Sequence, residues 1–193
     1  MRVLVLFAHP VETSFVAALH DRIVATLNDG GHEVDDCDLN AEGFQPVLTR
    51  NERMEYHDLA INRLPVAGYV ERLQRAEALV LVYPVWNYGF PAILKGFFDR
   101  VFLPGVSFHL EGNNFQPGLR HIKKLAAVCT YGGDRLRTIL MGDPPRKCVK
   151  RMLRVLIDPR GSCDYLAQYD MNNTTPERRA VFLQDVTGRF AKW

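Results

Sequence analysis

The stretch YPVWNYGFPAILKGFFDRV, Tyr83 to Val101, decides how this chain is read. The apolar run Ala78-Leu79-Val80-Leu81-Val82 leads into it, a buried-strand pattern, and a helical pattern leaves it near Pro91. Between them Trp86, Asn87 and Tyr88 form a short loop flanked by Pro84 and Gly89. A strand, an aromatic loop and a helix suit a planar ligand at the carboxyl edge of a parallel sheet. Aromatic faces offer contact area at low entropic cost, and loop amides hydrogen-bond ring heteroatoms.

The rest of the chain alternates in the same way, as a parallel α/β sheet requires. Val3 to Phe7 is a continuous apolar run, expected of a strand covered on both faces. Phe15, Leu19, Ile23 and Leu27 fall four apart on a first helix that ends at Asn28-Asp29-Gly30-Gly31. His32 to Asp38 reads as strand two, Ala78 to Tyr83 as strand three, Leu125 to Thr130 as strand four and Asp164 to Gln168 as strand five. Ile93, Leu94, Phe97, Phe98 and Val101 make one helical stripe; Val149, Met152, Leu153 and Leu156 make another on a helix from Lys147 to Ile157. A last helix runs from Pro176 to Phe190, and the polar stretch from Asn40 to Pro65 is an excursion with some helix. Five strands separated by helices give an α/β three-layer sandwich with sheet order 2-1-3-4-5, in one domain spanning residues 1–193.

Composition narrows the function classes. The chain has 193 residues, a formal net charge of +2 and 47% hydrophobic residues, which gives no general reason to invoke nucleic acid or a membrane. The first apolar run is broken at His9-Pro10, too early for a signal peptide or a membrane span. Cys37, Cys129, Cys148 and Cys163 are widely spaced with no metal-type pairing, and are expected to be reduced thiols in a cytoplasmic protein.

Two further loops carry chemistry. Ala8-His9-Pro10-Val11-Glu12-Thr13-Ser14-Phe15 lacks the glycines of a dinucleotide or P-loop turn. It places hydroxyls and backbone N–H groups at a helix N-terminus, where phosphate is favoured, and His9 adds a donor. Taken alone, Thr13 or Ser14 reads equally as an ordinary helix cap; the place of this loop in the sheet favours phosphate. Thr130-Tyr131-Gly132-Gly133 follows strand four, and its paired glycines let backbone approach a ligand or form a plain tight turn. The basic run Arg146, Lys147, Lys150, Arg151 and Arg154 reads as the solvated face of an amphipathic helix, with attraction of an anionic ligand as the sharper alternative.

These segments resemble the NAD(P)H:quinone oxidoreductases, flavoproteins of flavodoxin-like fold. The similarity covers residues 1 to 135, including Gly43-Phe44-Gln45-Pro46-Val47-Leu48 and Val101-Phe102-Leu103-Pro104-Gly105. It implies FAD, with FMN as the alternative, and NAD(P)H as co-substrate of a quinone reductase. His9, Thr13, Ser14 and Phe15 would hold the flavin diphosphate; Pro84, Val85, Trp86, Asn87 and Tyr88 would lie along the ring system, with Thr130, Tyr131, Gly132 and Gly133 beside it. The resemblance also implies a homodimer, with Phe108 reaching the partner's pocket. Val16 and Asn87 depart from the family's usual Asn and aromatic. No Tyr or His follows the paired glycines at matching positions, so no protein acid or base is assigned; Arg135 or Arg137 are candidates for the electrostatic task, against a reading as surface charge. A flavodoxin-like electron carrier or an ancillary subunit of an ion-efflux system is the rival reading.

Overall fold

The computed structural model describes residues 1–112 and 114–193. Strand β1 (Arg2–Phe7) leads to helix α1 (Phe15–Asp29), β2 (Glu33–Asp38), α2 (Arg50–Met54) and, after a 3-10 turn, α3 (Ala67–Arg75). Then come β3 (Ala78–Val85), α4 (Ala92–Val101), a hairpin of β4 (Phe108–Glu111) and β5 (Asn114–Pro117), and β6 (Lys124–Tyr131). Short helices α5 (Arg135–Leu140) and α6 (Pro144–Lys147), a π-helical turn (Cys148–Leu153) and α7 (Arg154–Leu156) precede β7 (Ser162–Gln168) and α8 (Pro176–Phe190). The main sheet is parallel, in the order β2-β1-β3-β6-β7. This is the order expected from the sequence, with the hairpin an insertion between its third and fourth strands.

Period-two alternation sends successive strand residues to opposite faces. Val3, Val5, Phe7, Val80, Val82, Ala126 and Val128 meet α1 and α8 on one side. Leu4, Leu6, Leu79, Leu81, Leu125, Ala127 and Cys129 meet α3, α4 and the helical segment after β6 on the other. Val16, one of the family departures, is buried in the first of these cores, where a valine is at home.

The excursion between β2 and α3 is anchored rather than loose. Thr49 and Glu52 form a reciprocal capping box at the start of α2. Glu52 also accepts from Arg100 on α4, Nε to Oε1 at 2.8 Å, and both side chains are largely buried. Gly96 on α4 lies against Pro46, where a Cβ would come within 2.2 Å of the Pro46 carbonyl oxygen. This close approach is why a glycine stands inside the helix.

Two sequence expectations are corrected. Strand β3 runs on through Pro84 and Val85, because it pairs with β6 as far as Val85↔Tyr131. The helix expected from Lys147 to Ile157 is divided by a π-helical turn. Its wider turn shifts the side-chain phase, so Val149, Leu153 and Leu156 are buried while Met152 is exposed. Helix α3, with its stripe Val66, Tyr69, Val70 and Leu73, is an addition to the elements expected above, as are α5 and the β4–β5 hairpin, which are too short for a clear period.

His20, stacked on Phe7 at 4.3 Å, holds α1 to β2 through Nε2 and Asp36 Oδ1 at 2.7 Å. Burial disfavours its charge, but Asp36 and Asp21 outweigh that and raise its pKa. A raised folded-state value means the contact stabilises fully below the unfolded value near 6.5, and the stabilisation drains away as pH rises through the folded value. Urea titrations from pH 6 upward should show this decline, and His20→Gln should flatten it. Gly96→Ala should cost about 1–3 kcal/mol through overpacking; an unchanged urea midpoint would remove the Pro46 contact as an anchor.

Candidate functional site: three loops at the carboxyl edge of the sheet

Register sets three strand ends along one edge of the sheet, β3 and β6 level and β1 ending three residues earlier. Phe7 pairs with Val82, and Val85 with Tyr131, so the loops after β1, β3 and β6 emerge side by side. Ala8 N–H continues the first pairing by donating to Val82 O at 3.0 Å. The loops touch: His9 meets Trp86 edge-on at 5.7 Å between centroids, and the Cβ direction of Gly133 points toward Tyr88 Oη at 3.7 Å.

In the first loop, Ser14 Oγ accepts from Ala17 N at 3.1 Å and so caps α1. Both readings of this loop meet here, since the cap satisfies only one first-turn donor. The N–H groups of Phe15 and Val16, at the first two helical positions, have no carbonyl behind them in the helix. His9 Nδ1 accepts from Val11 N at 3.0 Å, which puts the proton of a neutral ring on Nε2. Burial lowers the His9 pKa, favouring the neutral ring. Thr13 is exposed at the rim, and Phe15 is half-buried against Phe182, centroids 6.5 Å apart.

The second loop is a two-residue hairpin turn. Trp86 N donates to Gly89 O at 3.2 Å and Gly89 N to Trp86 O at 2.9 Å. Asn87 and Tyr88 both have positive φ, 49° and 56°, the left-handed pair of a type I′ turn. Asn tolerates this conformation; Tyr adopts it rarely and at a cost. Asn87 therefore suits the turn itself, which gives the departure from the family's aromatic a local cause. The turn leaves Trp86 46% exposed beside His9.

The third loop is fixed from beneath. Tyr131 is buried; its ring stacks on Tyr169 at 4.7 Å, and its hydroxyl donates to Asp143 Oδ1 at 2.6 Å. Tyr131 thus faces the core with its side chain, and only its backbone borders the loop. Thr130 is buried beside it in β6. Gly133 O accepts from Asp170 N at 2.9 Å. Among the described residues nothing accepts from the N–H groups of Gly132 or Gly133.

Phe108 and Arg137 lie apart from this cluster of contacts. Phe108, on β4, stacks on Phe115 at 5.7 Å and lines an apolar cavity of about 320 Å³ with Phe90, Phe98, Phe102 and Met152. Arg137 is largely exposed, its Nε 3.2 Å from Asp134 Oδ2 on its own helix, as the surface-charge reading has it. The basic run is partly engaged: Arg146 lies over the Tyr165 ring, Lys150 donates to Cys163 O, and Arg154 to Asp158 O at 2.9 Å. Among the described residues no cluster of His, Cys, Asp or Glu has metal-holding geometry. Asp143 and Tyr165 were not singled out from the sequence; the one signal was the unusual tyrosine before the paired glycines.

The flavodoxin-like fold family matches residues 1–147 of this sequence. The chain belongs to it. An uncharacterised NAD(P)H oxidoreductase of Escherichia coli is 30% identical over 142 residues, 73% of this chain and 69% of that protein. NAD(P)H dehydrogenase [quinone] 1 of the rat is 27% identical over 154 residues, 72% of this chain but only 56% of its own length. Among solved structures, an NAD(P)H:quinone oxidoreductase of Methanothermobacter marburgensis superposes with a TM-score of 0.81 at 25% identity, covering 99% of this chain and 98% of that one. In flavodoxin-like sheets a ligand binds outside the carboxyl ends of the strands, where the three loops meet here.

The turn geometry makes a testable demand. Asn87→Val, a β-branched side chain at positive φ, should cost about 1–2 kcal/mol. Asn87→Gly should remain within a few tenths of wild type, and equal thermal midpoints for the two would show that the left-handed turn is not held.

Proposed function

We propose that the chain is an NAD(P)H-dependent flavin oxidoreductase acting on a quinone or similar acceptor, with the flavin seated across the three loops. The observation that carries this reading is the convergence itself: an anion-favouring helix start, an exposed tryptophan on a rigid turn, and glycine N–H groups with no acceptor among the described residues, all at the switch point of the sheet. The residues present fit a flavin. Gly133 meets only the Tyr88 hydroxyl along its Cβ direction, so a glycine there keeps clear the space a ring edge would occupy.

When bound, the flavin would supply two-electron chemistry, taking hydride from NAD(P)H and passing the electrons to the acceptor. The chain's own residues would bind and orient. Phe15 and Val16 N–H, with His9 Nε2–H, favour phosphate; Trp86 gives a flat apolar face; Gly132 and Gly133 N–H favour negative charge on the ring. No side chain in the cluster is placed as an acid or base, so proton traffic is left to substrate and solvent.

The similarity to the mammalian quinone reductases suggests FAD. We put FMN ahead of it, because an FMN-dependent NADH:quinone oxidoreductase of Coprothermobacter proteolyticus is 35% identical over 72 residues, 37% of this chain. The assembly is proposed as a homodimer, supported by the apolar cavity between α4, the hairpin and the Cys148–Leu156 segment, with Met152 and Phe115 exposed at its rim. Among the described residues no helix is long and apolar enough to cross a membrane.

Visible absorption of purified protein, with the released cofactor weighed, tests the core of this reading. Flavin bands bleached by NADPH and restored by a quinone are expected, and the mass separates FMN from FAD. A protein that takes up neither flavin would remove the function. Gly133→Val should fold as wild type, since its new atoms meet no backbone, yet bind flavin at least tenfold more weakly. Unchanged affinity would displace the ring from this loop.

A further inference from the structure

We propose that Asp143 is a positioning residue of this site: its buried carboxylate, acting through the Tyr131 hydroxyl, fixes the backbone of Gly132 and Gly133. The inference rests on the flavin reading for its consequence, but its geometry stands apart from it.

Asp143 follows Tyr131, the last residue of β6, by twelve positions; it is buried, with φ of 43°, a left-handed conformation that Asp tolerates. Its N–H donates to Thr138 O at 3.0 Å and its carbonyl accepts from Lys147 N at 3.1 Å, so both sides of the residue are tied to neighbouring helices. The carboxylate is therefore held in place before it meets Tyr131.

Tyr131 donates its one hydroxyl proton to Asp143 Oδ1, 2.6 Å away, and this leaves its oxygen to accept from Tyr165 Oη at 2.5 Å. The direction of the relay is fixed: Tyr165 donates to Tyr131, and Tyr131 donates to Asp143. Burial pushes both phenols upward, so both keep their protons. Arg146, with its guanidinium 5.1 Å above the Tyr165 ring, supplies positive charge to this region. Tyr131 is thereby locked by two hydrogen bonds and by stacking on Tyr169. The next residue in the chain is Gly132, which has no side chain of its own to hold it. Asp170 N fixes Gly133 O from the other side, and the Asn172 amide lies along the Cβ direction of Gly132 at 3.5 Å. Two unbranched residues gripped at both ends present their N–H groups in one orientation.

The test compares Asp143→Ala, Asp143→Asn and Tyr131→Phe with wild type by two readouts. Hydrogen exchange of residues 130–134 in the flavin-free protein reports the loop itself. The two-electron midpoint potential of the FMN-loaded protein reports its effect on reduced flavin. Asp143→Ala and Tyr131→Phe should speed exchange of the glycine amides at least tenfold. They should also shift the potential negative by ~30 mV, a tenfold loss of preference for reduced over oxidised flavin. Asp143→Asn keeps an oxygen acceptor and should restore most of both. Wild-type exchange and potential in Asp143→Ala, even with a lowered melting temperature, would make this an ordinary core contact and overturn the proposal. Failure of Asp143→Asn to restore either readout would overturn the relay. A wild-type protein that binds no FMN would sink the flavin reading, while the exchange arm would still decide whether Asp143 positions the loop.

Discussion

The register of the parallel sheet is the constraint on which the site depends. Phe7 opposite Val82 and Val85 opposite Tyr131 set the ends of β3 and β6 level and that of β1 three residues earlier, so the three loops leave one edge of the sheet. A slip of one residue would turn every strand side chain to the other face and separate the loops. The register is held by two cores that read alternate residues, so the packing that stabilises the protein also sets where its ligand-facing backbone emerges.

Each loop is rigid for a different reason. The loop after β1 is fixed by the Ser14 cap and the His9–Val11 bond, the loop after β3 by a left-handed pair closed between Trp86 and Gly89, and the loop after β6 by a buried tyrosine and carboxylate. Rigidity of this kind orients donors before a ligand arrives, which lowers the entropy lost on binding. Tyr88 at positive φ and Asp143 in the left-handed region are conformations that cost free energy locally and persist because the surroundings over-determine them.

Much of this was legible in the chain. The apolar runs at Val3–Phe7 and Ala78–Val82, the four-spaced stripe from Phe15 and the last helix from Pro176 each carry a period that depends on local geometry alone. Helix α3 was legible too, in the stripe Val66, Tyr69, Val70 and Leu73, but α5 and the hairpin are too brief for a period to stand above chance, and their formation rests on contacts with distant residues. The capping box at Thr49 and Glu52 was written in the sequence, but its link to Arg100 joins residues far apart in the chain.

The sequence by itself determined the alternation of strand and helix, and hence which loops follow which strands, because hydrophobic periodicity is a property of neighbouring residues. It also marked Trp86, Asn87 and the paired glycines as unusual. Only the tertiary structure decided that Pro84 and Val85 belong to a strand, that Tyr131 turns its ring into the core, and that Asp143 stands beneath it. Each of these is settled by cross-strand pairing or by burial against residues remote in the chain, and no local pattern encodes a partner that folding alone brings near.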